Sequence, residues 1–199
     1  MMNHLTDKEI ILENDRVLLR PLAESDFENL LPFALNEADL WKYSLISPAG
    51  EEGMKHYIST TLQNKAAGAE YPFIVFDKAT QQYAGSTRFY DIQQFNKAAQ
   101  LGYTWYGKAF QRTGLNRNCK QLLFQFAFEE WGLERVELRA DANNQPSINA
   151  MKAIGCTVEG VLRSNMTIDA GGRRDSIVLS ILKEEWFDTV KQLLQQKIK

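Results

Sequence analysis

Only two of the 199 residues are cysteine, two are histidine and five are proline. Cys119 and Cys156, taken with His4 and His56, show no ligand spacing, so no metal site is expected. Two thiols with no secretion signal suit a reduced, cytoplasmic compartment. The opening MMNHLTDKEI has no apolar core of the kind a signal peptide needs. Purely apolar runs are too short to cross a bilayer. A net charge of −2 gives no global reason to bind nucleic acid or membrane. The Walker pattern and the dinucleotide pattern G-x-G-x-x-G are both absent, which argues against a nucleotide-using kinase or a Rossmann oxidoreductase. No repeat, low-complexity tract or linker divides the chain. One domain is expected over residues 1–199, with a core over about 16–186 and a closing helix over 183–199.

Acidic residues are missing from one long interval. Between Asp91 and Glu129 there is none, whereas Lys97, Lys108, Arg112, Arg117 and Lys120 all fall inside it. Leu115, Cys119, Leu122, Leu123, Phe126 and Trp131 repeat at helical spacing, so a helix starts near Gly114 and stops at Gly132. Cations thus cluster at the positive end of the helix and Glu129 and Glu130 stand at its negative end, each opposing the dipole. The arrangement makes sense if a polyanion sits at the helix start, where free amides bind phosphate and Gly114 allows close approach.

Around that helix the pattern alternates. Strands are expected at 16–22, 71–78, 82–92, 99–107 and 135–142, followed by a hairpin turning at Ala170-Gly171-Gly172. Helices are expected within 25–37 and 51–68, and at 146–155. The order β-α-α-β-β-β-α-β-α-β-β-α reads as an α/β (α+β) chain, a mixed sheet of about seven strands with helices packed on it.

Four motifs then carry a resemblance: Gln111-Arg112-Thr113-Gly114-Leu115-Asn116, Asp141-Ala142-Asn143-Asn144-Gln145-Pro146-Ser147, Gly155-Cys156, and Glu159-Gly160-Val161-Leu162-Arg163. With the order of elements, they resemble the GNAT superfamily of N-acetyltransferases and, within it, the RimJ/RimL-like group, over about residues 16–186. Asn116 stands where the second small residue of the pyrophosphate turn usually falls. The resemblance implies a mostly antiparallel sheet with splayed central strands, and acetyl-CoA as donor. Its pyrophosphate would lie on the amides of Gln111, Arg112, Thr113, Gly114, Leu115 and Asn116. Arg112, Arg117 or Lys120 would meet the 3′-phosphate. The pantetheine arm would pair like a strand with Tyr103, Thr104 and Trp105, whose backbone would also receive the oxyanion.

By the same resemblance Asn144 would bond the pantetheine arm, and Ser147 would assist departure of the thiolate. A helix cap with Pro146 in the first turn explains N-Q-P-S as well, and the two roles are compatible. No base stands out. His4 lies in the tail and His56 belongs on a helix surface. Asp91 would face the acceptor slot through water, or be an ordinary turn carboxylate. Ribosomal-protein members of the family place a glutamate past the Glu-Gly stretch, and an ungapped count from Ser147 puts Met166 there. A weak base favours an α-amine, about a tenth neutral at pH 7, over a lysine, neutral at roughly one part in 2,500. Trp41 and Tyr43 lie where the family holds its acceptor, and core packing explains them equally.

The expected function is therefore N-acetyl transfer from acetyl-CoA to a protein N-terminal α-amine or a small amine. A coenzyme-binding sensor or scaffold without turnover is the alternative. A monomer or homodimer is expected, the latter if Val190, Leu193, Leu194 and Ile198 pack on a second copy. Buried Cys156 is expected to be inert.

Overall fold

The structure, a computed structural model, describes residues 9–168 and 171–198. His4 and Ala170 of the expected hairpin turn lie outside them. Eight strands form one sheet in the order β1-β2-β3-β4-β5-β6-β8-β7. They are β1 (Leu12–Glu13), β2 (Val17–Pro21), β3 (Glu70–Asp77), β4 (Gln82–Gln93), β5 (Ala98–Tyr106), β6 (Arg135–Asp141), β7 (Thr157–Thr167) and β8 (Arg173–Leu182). The sequence pattern missed β1, whose two residues are too few to show alternation. Antiparallel pairing joins every neighbouring pair except the parallel β5 and β6.

Helices cover both faces. α1 (Phe27–Asn36) and α2 (Gly50–Ala66) lie on one side, where Leu30, Ala34, Met54, Tyr57 and Ile58 pack with Leu22, Ile74, Trp41 and Trp105. Pro32 sits inside α1 without ending it. On the other side lie α3 (Leu115–Gln125), α4 (Gln145–Ala153) and the C-terminal helix. Leu115, Cys119 and Leu123 fulfil the apolar spacing read from the sequence and pack on Phe89, Leu101 and Leu138.

α3 runs on through a π-turn, Phe126–Glu130. The C-terminal segment has a similar interruption, Trp186–Val190, between Lys183–Glu185 and Lys191–Lys197. The two turns meet: Phe128 and Trp186 stack with centroids 5.9 Å apart, and Trp186 Nε1 donates to Glu129 Oε1 at 2.8 Å. Lys191 also binds Glu129. The carboxylate that opposed the α3 dipole is thus held by the last helix. Val190 and Leu194 are buried in the same core, while Leu193 and Ile198 are half-buried.

The sheet opens in its middle. β5 and β6 pair only at Ala98↔Arg135, Ala99↔Val136 and Gln100↔Glu137. Beyond those residues the two strands diverge, while each stays paired on its outer side to β4 or β8. The register of β4 on β5 shifts between Ser86 and Arg88, and Tyr103 takes a positive φ of 47° there. That bulge bends β5 away from β6. Gly85 permits the bend, because a Cβ at its position would lie 2.0 Å from the Trp105 carbonyl oxygen.

Candidate active site

The fork between β5 and β6 leads to the start of α3. Arg112 and Gly114 take φ values of 62° and 88°, so the chain turns sharply ahead of Leu115. Thr113 closes the turn: its hydroxyl donates to the Phe110 carbonyl, and Gln111 Nε2 donates to the Tyr106 carbonyl at 3.0 Å. Among the described residues the amides of Arg112, Thr113, Gly114 and Asn116 donate to no protein acceptor. Four free donors at a helix start make an anion cradle. Only Arg117 Nη2, 3.9 Å away, comes within 4 Å of a methyl built on Gly114.

The five clustered cations separate into three groups. Lys97 pairs with Glu134 and Lys108 with Asp39. Arg112 and Arg117 have no carboxylate partner among the described residues and stand beside the cradle. Lys120 is a correction to the expected phosphate contact. Only 4% exposed, it points into the protein, where its Nζ donates to Thr104 Oγ1 at 3.1 Å. Its position one turn past Asn116 puts it on the sheet side of α3. Asn116 is itself fixed by the Tyr106 hydroxyl at 3.2 Å.

Across the fork, β6 ends at Asp141 and α4 begins. Asn144 Oδ1 accepts from the Ser147 amide at 3.2 Å, so the cap expected from N-Q-P-S is present. The cap uses only the oxygen of Asn144. Its Nδ2 and the Ser147 hydroxyl, both half-buried, have no protein partner among the described residues.

On the α2 side of the fork lies a group that sequence reading passed over. Arg88 is buried against Tyr103, its guanidinium carbon 3.6 Å from the ring centroid, and it bonds Glu70 and Thr61. Tyr90 packs edge-on to Tyr103 at 5.0 Å, and burial pushes both phenols above their ordinary pKa. Half-buried Arg174 donates to the carbonyl of Tyr43 at 3.2 Å, pinning the loop after α1. The only sequence signal for Arg88 was a lone cation in the strand pattern QYAGSTRFYDI.

Two expected acceptor residues are placed elsewhere. Trp41 is 5% exposed and packs edge-on to Trp105 at 4.8 Å, which makes it core. Asp91 accepts from Gln100 Nε2 at 2.7 Å and from Gln93, which ties its carboxylate to the β4–β5 hairpin. His56 is exposed on α2, as expected. Burial pushes the Cys156 thiol up to about 12, so it stays inert at neutral pH. No group of three or more metal-ligating side chains occurs among the described residues. No helix among them is long and apolar enough to cross a membrane.

Comparison with known proteins places this fold and sequence among acetyltransferases. The YdaF protein of Bacillus subtilis (strain 168), named "Putative ribosomal N-acetyltransferase YdaF", is 27% identical over 179 residues, covering 87% of this chain and 94% of its own. A GCN5-related N-acetyltransferase from Brucella melitensis has the same fold: TM-score 0.88, 24% identity, 96% of this chain and 86% of that one. So does a ribosomal-protein-S5-alanine acetyltransferase from Vibrio fischeri: TM-score 0.73, 21% identity, 89% of this chain and 99% of that one. The model of the acetyltransferase (GNAT) domain matches residues 16–157, which take in the bulge, the cradle and Ser147. With most of its length and its whole forked site inside that match, the chain belongs to the GNAT family of N-acetyltransferases.

Proposed function

We propose that the chain, as one acetyltransferase domain, moves an acetyl group from acetyl-CoA to a primary amine, by direct attack in a ternary complex. The carrying observation is the continuity of the free amides of Arg112, Thr113, Gly114 and Asn116 with the β5–β6 fork. A diphosphate fits the cradle, flanked by Arg112 and Arg117. A pantetheine arm, with its amide groups, fits the unpaired inner edge of Tyr103, Thr104 and Trp105. When bound, the coenzyme supplies the activated acetyl thioester.

The chain's own residues orient and polarise. Past the Tyr103 bulge the main chain of β5 no longer pairs with β6, and an N–H there meets the acetyl carbonyl oxygen. Asn144 Nδ2 donates to the arm. Ser147 donates a hydrogen bond toward the departing sulfur, a contribution of about 10²–10⁴-fold at most. A thiol of pKa about 8.5 needs no stronger acid.

The acceptor is a protein N-terminal α-amine or a small amine rather than a lysine side chain. Supporting this is that neither of two candidate positions for a base supplies one at the fork. Position 166 holds a methionine in register with Arg174 on β8, and His56 faces solvent. YdaF and the Vibrio fischeri enzyme carry ribosomal names, which makes N-terminal peptides of ribosomal proteins the first acceptors to try. Thiol release from acetyl-CoA, measured against a panel of N-terminal peptides, small amines and lysine peptides, tests the assignment. Turnover with α-amines and little with lysine is expected. Tight coenzyme binding with no turnover on any amine would leave a binding protein and defeat the catalytic reading.

A further inference from the structure

Lys120 is the buried charge that the proposed machinery leaves unused. Its Nζ, with three protons to donate, has one protein acceptor among the described residues, Thr104 Oγ1 at 3.1 Å. Thr104 lies on β5 just past the bulge, in the stretch that no longer pairs with β6. Its hydroxyl is 2.7 Å from that of Thr87 on β4, so the ammonium is held at the end of a short hydroxyl chain. From the far side of the fork Cys156, at the exit of α4, is near enough to act on it electrostatically. Lys120 thus lies against the stretch of β5 that has parted from β6.

Nothing anionic faces it there. The titratable groups acting on it are Cys119 on its own helix and Cys156. Burial holds both thiols protonated up to about 12. Tyr106 on β5, fully buried beside Cys119, is held well above its ordinary range. No carboxylate pairs with Lys120 among the described residues. An ammonium taken out of water without an anion is costly, and such perturbed groups cluster at functional sites. Its own pKa falls to about 8 from desolvation, so it is still mostly charged at neutral pH.

We propose that the Lys120 ammonium, held by Thr104, is the counter-charge for the coenzyme thiolate produced at the fork when the acetyl group leaves. The step balances without transferring the lysine proton. A neutral amine forms the C–N bond as the C–S bond breaks, sulfur keeps the electron pair, and nitrogen loses its proton to water. Lys120 begins and ends as ammonium, and the thiolate is protonated from solvent on release. A preorganised cation of this kind stabilises charge where it develops and needs no rearrangement.

The inference rests on the acetyl-CoA reading, and the experiment separates the two. Bound CoA is titrated by the ultraviolet absorbance of its thiolate, with protein carrying desulfo-CoA as the blank for Cys119 and Cys156. In the wild type the bound thiol should ionise at least one pH unit lower than in Lys120→Met, a tenfold difference in acidity. Lys120→Gln, a second neutral variant, should match Lys120→Met. Thr104→Val, which keeps the cation but removes its holder, should shift by less. An identical thiol titration in the wild type and in either neutral variant, with CoA bound to both by calorimetry, would overturn the proposal and leave the acetyl-CoA reading intact. No CoA uptake by the folded wild type would remove both.

Discussion

The Arg88 guanidinium carbon lies 3.6 Å above the Tyr103 ring, and the same guanidinium bonds Glu70 Oε2 and Thr61 Oγ1 at 2.6 Å each. One buried cation thus ties α2 and β3 to the residue that bends β5. Arg88→Leu leaves the Glu70 carboxylate without its partner in a mostly buried setting. Loss of about 3–5 kcal/mol of stability is expected, measured by urea denaturation. Adding Glu70→Leu should recover a good part of it. If the double variant is as unstable as the single, the cost comes from packing on Tyr103 and not from the orphaned charge.

Gly114 offers a test of the cradle with little interference from packing, since a Cβ there would meet only the end of the Arg117 side chain at 3.9 Å. Its φ of 88° is what an L-residue resists. Gly114→Val should cost about 1–2 kcal/mol of stability, and at least tenfold in CoA affinity by calorimetry. Gly114→Asn, which enters the left-handed region more readily, should lie between Val and wild type on both measures. Equal CoA affinity in all three would mean that the turn does not hold the diphosphate.

Lys120 predicts a pH signature of its own. Its folded pKa of about 8 lies below the ordinary 10.5, so folding disfavours the charged form. The penalty is complete below pH 8 and is relieved as the pH rises toward 10.5, where the unfolded chain also loses the proton. Lys120→Met should therefore be more stable than wild type at pH 7, by on the order of 1–4 kcal/mol, and the gap should close between pH 8 and 10.5. Thermal melts across that window decide it; a constant gap would show that charge is not the cause.

Asn144 has two jobs that substitutions can part. Asn144→Ala should lose about 1 kcal/mol of stability with the cap, and Asn144→Asp should keep it. Both lack the Nδ2 donor, so both should raise the KM for acetyl-CoA. An unchanged KM in Asn144→Asp would restrict Asn144 to capping.

The elements that carried strong periodicity were legible before any coordinates. α3, with Leu115, Cys119 and Leu123 on its core face, and the N-Q-P-S cap fell where the spacing put them. What escaped depends on contacts between distant segments. Local charge counting grouped Lys120 with Arg112 and Arg117, but those two are exposed, whereas Lys120 ends the buried run that starts at Asn118. Lys120 reaches Thr104, sixteen residues earlier, across the sheet face. Arg88 and Arg174 were invisible for the same reason, their partners lying 18 and 131 residues away. Two-residue β1 had too little chain to show a period.

The parting of β5 and β6 also bears on where the sheet can take another extended chain. Unpaired strand edges attract other chains, and between β5 and β6 the sheet keeps such edges inside, roofed by helices on either hand. The outer rims are a strand of two residues and a strand broken by two register shifts, both poor templates for fibril growth. An extended guest placed in the fork would thus meet two unpaired edges at once, whereas either rim offers one.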